Sequence, residues 1–261
     1  MIKSKIRELT HKLLLPRGRH YRAEPDLEIG WFKYYINSGS REICTLQIFQ
    51  EQESKGIIIL AHPYLSVAKK FFLIRGHAKM YYDAGYDVII FDFNGFGESP
   101  FVDFNYAFDL SVVASHIKNR YPAKRISGHG VSFGASHTIS YSTQPDNVFD
   151  KIIIENCLDS NLSYYRKRNL KLHWTMLLLM KIFPTVNRNH NYVESISKLK
   201  NISKALFIYN AEDDLTTIEM GEKLLNACNI CSEIIVFKGQ HLNAFQDNQF
   251  VYTNKVTTFL R

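Results

Sequence analysis

A series of short, almost uninterrupted apolar runs, most of them followed by a helix-like stretch, constrains this chain more than any other feature. They lie at 56–61, 86–93, 125–131, 152–156, 205–209 and 234–237. A strand wetted on one face alternates apolar and polar residues, whereas a strand buried on both faces does not. Such runs, separated by helical patterns such as 67–84 and 104–119, predict a mainly parallel sheet covered on both sides, the α/β class. Ahead of them, 31–36 and 42–49 read as an antiparallel hairpin turning at Asn37-Ser38-Gly39-Ser40. At 261 residues, without an internal repeat or a Gly/Ser/Pro-rich linker, the chain is expected to form one domain over 1–261.

The alternation stops between Cys157 and Ile202, a stretch too long for a connection in a compact domain. It predicts an inserted helical lid over 158–201. Within it, Trp174-Thr175-Met176-Leu177-Leu178-Leu179-Met180 lies between Lys171 and Lys181. About 20 apolar residues are needed to cross a bilayer, and this run is shorter. It suits either a cover for a greasy substrate or a helix buried between lid and core. Residues 1–22 predict a basic amphipathic helix, with Ile2, Ile6, Leu9 and Leu13 on one side and Pro16 and Gly18 ending it.

Charge is uneven. Residues 1–22 carry +6 and residues 158–192 carry +5 of a net +7, which leaves −4 on the remainder. A general nucleic-acid-binding surface is therefore not expected. Basic segments that also hold apolar residues suit an anionic membrane surface or an acidic acyl carrier protein; a solvated charged face with its apolar residues turned inward is the plain alternative. Cys44, Cys157, Cys228 and Cys231 are few and irregularly spaced, so the C-x-x-C at 228–231 reads as two free thiols. Together with the absence of a secretion-like signal, this points to the cytoplasm, with peripheral membrane association as the refinement.

The run at 125–131 leads into Gly130-Val131-Ser132-Phe133-Gly134, the G-x-S-x-G pattern of a nucleophile elbow. A chain that leaves a strand and turns at once into a helix leaves no room for side chains two residues on either side of the apex. Reactive groups of an α/β sheet sit on loops at the carboxyl ends of its strands. Three further loops of that kind offer suitable residues: His62-Pro63-Tyr64, the carboxylates of Ala211-Glu212-Asp213-Asp214, and Gly239-Gln240-His241. A serine hydroxyl is a poor nucleophile near neutral pH. It needs a base within hydrogen-bond reach, and the base needs an orienting carboxylate.

In these motifs the chain resembles the α/β-hydrolase superfamily over roughly residues 40–260. Asp92-Phe93-Asn94-Gly95-Phe96-Gly97-Glu98-Ser99 is similar to the family's D-x-R-G-x-G-x-S loop, with Asn94 in place of arginine. Ala211 to Asp214 resembles G-x-x-D, Gly239 to His241 resembles G-x-H, and His62-Pro63-Tyr64 resembles H-G-x with Pro63 for glycine. The resemblance implies a mainly parallel eight-stranded sheet with helices on both faces and a helical lid. It also implies a triad of Ser132 as nucleophile, His241 as base and Asp214 as acid. Asp213 is the rival acid and Asp159 a remote third. Backbone N–H groups of Phe133 and Tyr64 would form the oxyanion hole. The expected activity is cleavage of a carboxylic ester of a small hydrophobic acyl substrate through an acyl-enzyme. The alternatives are a thioesterase or acyltransferase working on a carrier-bound chain, and a catalytically silent binding module. No metal or organic cofactor is implied. His62 is expected to anchor its loop and His129 to pack, neither titrating in catalysis.

Overall fold

The computed structural model describes residues 30–182 and 191–261. The expected helix over 1–22 lies outside them. Eight strands form one sheet: β1 (Phe32–Ser38), β2 (Arg41–Ile48), β3 (Ile57–Ala61), β4 (Asp87–Phe91), β5 (Ile126–Val131), β6 (Phe149–Glu155), β7 (Lys204–Asn210) and β8 (Cys231–Phe237). Their order is β1-β2-β4-β3-β5-β6-β7-β8. The β1–β2 hairpin turns tightly, with Ser38 opposite Arg41, and β2 lies antiparallel to β4. From β4 to β8 every neighbour is parallel.

Residue parity explains why the central strands read as solid apolar runs. Ile57, Ile59, Ile89, Phe91, Ile152, Ile154 and Phe207 enter one core layer. Ile58, Leu60, Val88, Ile90, Ile153, Leu206 and Ile208 enter the other. The first layer packs under α3 (Tyr106–Arg120), α4 (Phe133–Ser142), α7 (Tyr192–Ile196) and α8 (Ile218–Ala227). The second packs under α1 (Lys70–Ile74), α2 (His77–Asp83), α9 (Ala244–Asp247) and α10 (Gln249–Leu260). Both sides of the central strands β3 to β7 are thus dry, as a parallel sheet requires, while the edge strands β1 and β8 stay partly exposed.

Two expected elements change shape. The helical stretch at 67–84 divides into α1 and α2 at Gly76, whose φ of +80° ends the first helix. The excursion after β6 is narrower than 158–201. Ser160 and Asn191 pair as an isolated antiparallel bridge, and Tyr192, Ile196, Leu199 and Ile202 are buried in the main core. What projects from that neck is α5 (Asn161–Arg168) and α6 (Leu170–Ile182). The Ser160 hydroxyl caps α5 by accepting from Ser163 N–H, and Asn169 breaks the helix and accepts from Leu172 N–H to start α6. Among the described residues, no helix is long and apolar enough to cross a membrane.

Candidate active site

Ser132 sits between β5 and α4 with φ +53° and ψ −109°. An L residue holds that backbone only where its surroundings over-determine it, and here the packing does so. A Cβ on Gly134 would lie 1.9 Å from the Ala61 carbonyl oxygen at the end of β3. One on Gly130 would lie 2.5 Å from the Gly134 carbonyl and the Thr138 hydroxyl. The helix after the serine therefore presses directly on the sheet, and both glycines of the pattern are sterically required. Ser132 N–H donates to the Glu155 carbonyl at 2.8 Å, which ties the apex to the neighbouring strand.

His241, on the loop after β8, reaches the serine: its Nε2 is 3.1 Å from Ser132 Oγ. Its Nδ1 is 2.6 Å from Asp213 Oδ2. A carboxylate accepts, so Nδ1 carries the proton and Nε2 is left to accept from the serine hydroxyl. Asp213 is held from several directions. Leu215 and Thr216 N–H donate to Oδ1 at 2.8 and 2.9 Å, while the Asn156 amide (2.8 Å) and the Thr216 hydroxyl donate to Oδ2. Burial pushes the Asp213 carboxyl upward, but the His241 and Thr216 hydrogen bonds outweigh it and hold the pKa below the usual value.

The carboxylate expected at Asp214 is therefore supplied by Asp213. The cause is the turn after β7. Ala211 and Glu212 N–H stay bonded to the Phe237 and Gly239 carbonyls, and Asp213 N–H closes back onto Asn210 O at 3.3 Å. That turn aims Asp213 inward and leaves Asp214 exposed, its carbonyl accepting from Lys167 Nζ at 2.9 Å. Asp159 is engaged elsewhere, 2.8 Å from Lys223 Nζ.

Tyr64 and Phe133 lie side by side, ring centroids 5.1 Å apart and edge to face. The loops after β3 and β5 thus meet next to Ser132. Phe96 and Tyr106 stand 5.7 and 4.9 Å from the Phe133 ring, so the wall beside the serine is aromatic. From the other direction α5 approaches: burial first, then Tyr164 and Tyr165, push the Tyr64 hydroxyl up to about 12.

The supporting loops are organised by buried polar groups. His62 Nε2 accepts from Phe93 N–H at 3.1 Å, so its protonated Nδ1 donates to the Pro63 carbonyl at 2.8 Å. Burial lowers its pKa to about 4, and the neutral ring acts as the anchor expected of it. Asn94 donates to Asp109 and accepts from Val102 and Asp103 N–H; Asp109's cationic partner is Arg41, 2.6 Å away. His129 is fully buried between the Tyr81 hydroxyl at 2.9 Å and Glu155 at 3.1 Å. Sequence reading missed Asn156 and Thr216. Thr216, three residues after an acidic residue at a loop end, had a local signal; Asn156 comes from another strand and had none.

No protein-family model and no curated protein matches the sequence. Solved structures do. An esterase of Pyrococcus furiosus superposes with a TM-score of 0.69 at 20% identity, over 88% of this chain and 89% of that one. A proline iminopeptidase of Mycobacterium smegmatis gives 0.65 at 14% identity, over 88% and 97%. The chain has the α/β-hydrolase fold. An enol-lactonase of Burkholderia xenovorans shares it, with a TM-score of 0.63 at 14% identity over 87% and 99%. In an α/β-hydrolase fold, loops at the carboxyl ends of strands carry the reactive groups, and Ser132, Asp213 and His241 follow β5, β7 and β8 in that arrangement.

Proposed function

We infer that the protein is a serine hydrolase that cleaves a carboxylic ester of a hydrophobic acyl substrate. The observation that carries this is the relay of hydrogen bonds from Asp213 through His241 to Ser132, at 2.6 and 3.1 Å, with the serine at a strained strand-to-helix apex. Ser132 Oγ attacks the carbonyl carbon while His241 Nε2 takes its proton. His241 then protonates the leaving oxygen, and an acyl-enzyme remains on Ser132. Water, activated by the same imidazole, releases the acid. Asp213 keeps the ring in the tautomer that frees Nε2 and stabilises the imidazolium that forms. Backbone N–H groups of Phe133 and Tyr64 receive the oxyanion, each donor contributing about 3 kcal/mol. The aromatic wall of Phe133, Tyr64, Phe96 and Tyr106 supports an apolar acyl group, and the α5–α6 excursion beside Tyr64 supports the reading of a lid. Solved structures of the same fold include an esterase and a lactonase, both ester-cleaving by name.

The test is turnover of p-nitrophenyl esters of increasing acyl length. The wild-type protein should hydrolyse them, with kcat/KM rising as the chain lengthens. Ser132→Ala should lower kcat by several orders of magnitude without changing the fold. Equal turnover by wild type and Ser132→Ala on every ester would remove this reading.

A further inference from the structure

The short helix α6 does not turn its apolar side inward. Leu170, Trp174, Leu178 and Ile182 are 58, 64, 59 and 57% exposed. They are spaced by four, so they share one face of the helix, a stripe about 18 Å long at 1.5 Å per residue. The opposite face carries the half-buried His173, Met176 and Leu177, and His173 Nδ1 donates to the Leu162 carbonyl of α5 at 3.2 Å. The helix is thus seated on α5 with its greasy side presented to the surroundings. Monomeric soluble proteins rarely expose a continuous apolar patch of this kind without a use for it.

Charge restricts what can cover it. Arg166, Lys167, Arg168, Lys171 and Lys181 are all exposed on or beside the stripe, and the sequence has no Asp or Glu between Asp159 and Glu194. The chain's own residues 1–22 carry +6, and a second copy would bring the same cations, so both would meet like charge. An anionic occupant is favoured. The stripe is a convex ridge of flexible aliphatic side chains around one tryptophan. A fluid acyl layer accepts such a ridge without a matching groove, and tryptophan prefers the membrane–water boundary.

We propose that α6 lies flat in the surface of an anionic lipid bilayer, Leu170, Trp174, Leu178 and Ile182 entering the acyl region and the flanking Lys and Arg meeting the headgroups. Its partner helix α5 ends at the mouth of the site, where Lys167 bonds to the Asp214 carbonyl. Docking therefore holds the α5 end of the excursion, and with it the side of the site that Asp214 borders, close to the membrane.

The chain has two tryptophans, so Trp31→Phe in the full-length protein makes Trp174 the sole indole reporter. Vesicles of phosphatidylglycerol and phosphatidylcholine should shift its emission to the blue and sediment the protein. Pure phosphatidylcholine vesicles should do neither. Binding should vanish near 1 M salt, where the screening length is about 3 Å. Lys171→Gln with Lys181→Gln should weaken partitioning about thirtyfold, each cation near an anionic surface contributing about a factor of five. Trp174→Ser with Leu178→Ser should weaken it by about a hundredfold, with turnover of a small soluble ester left at the wild-type level. Vesicle binding is read without turnover, so it stands or falls separately from the esterase reading. Equal binding to neutral and anionic vesicles would overturn the proposal, as would unchanged binding by the Trp174→Ser, Leu178→Ser variant. So would a lipid-free dimer that buries Trp174, or capture of an acidic carrier protein with no vesicle binding.

Discussion

Replacing Asp213 by asparagine keeps the side chain's shape but lets its amide face His241 as a donor. The imidazole would then protonate on Nε2 and lose its ability to accept from Ser132. A loss of about 10⁴ in kcat is expected, the size of the same change in the chymotrypsin-type triad. Asp214→Asn should stay within a few-fold of wild type, because that side chain is exposed and the substitution leaves the carbonyl that bonds Lys167 unchanged. Steady-state kinetics on one soluble ester checks both, and a larger loss at Asp214 would reverse the assignment. Between two adjacent aspartates the choice rests on a turn set by backbone bonds from Ala211 and Glu212 to the exit of β8. Sequence spacing counts residues along one loop and does not carry that cross-loop pairing. Ser132 and His241 were legible because each is fixed by a motif of its own. Asn156 and Thr216 carry a testable role in placing Asp213: Asn156→Ala and Thr216→Val should each lower kcat about tenfold to a hundredfold, with the pKa on the acid limb of the pH–rate profile moving up as donors to Asp213 are lost.

The elbow is an element as much as a residue, because α4 packs on β3 through Gly134. Gly134→Ala places a methyl group 1.9 Å from the Ala61 carbonyl oxygen, a backbone atom that cannot swing aside. Stability should fall by about 3 kcal/mol or more, seen as a lower urea midpoint. A neutral result would mean that the helix can slide without cost and that the glycine is not sterically fixed. Most strands were legible because burial on both faces writes itself as continuous apolar runs, as in Ile57–Ala61. The helices were less so. One expected helix breaks at Gly76, and the far end of the expected lid proves to be core, anchored by Tyr192 and Ile196. The orientation of Leu170–Ile182 could not be read from composition: its apolar residues fill most of the circumference, and only the seat on α5 decides which face is covered.

Across the molecule, two histidines give the fold an acid limit. Burial lowers His62 and His77 to about 4, against about 6.5 in an unfolded chain. Between those values the unfolded state binds protons that the folded state refuses. Stability is therefore fully present above about pH 6.5 and is lost as pH falls towards 4, by about 3 kcal/mol for each histidine at about 1.4 kcal/mol per unit. His77 is the clearer case: among the described residues neither ring nitrogen meets a hydrogen-bond partner, and Phe71, Phe72, Phe245 and Tyr252 surround it. His77→Phe should flatten the decline in urea-derived stability between pH 6.5 and 4, and an unchanged slope would place the acid sensitivity elsewhere. The class of the whole molecule was legible, since alternating strands and helices admit few arrangements. Which helices cover which face was not, because that depends on strand order.

On the proposed reading one serine in this chain, Ser132, is activated as a nucleophile. A fluorophosphonate reports this directly, since it forms a stable covalent adduct with a serine hydroxyl only where a neighbouring base removes the proton. Intact-mass analysis should show a single adduct on the wild-type protein, and peptide mapping should place it on Ser132. Labelling should be absent in Ser132→Ala and slowed by orders of magnitude in His241→Ala. No adduct on the folded wild-type protein, or an adduct that persists in Ser132→Ala, would contradict the account.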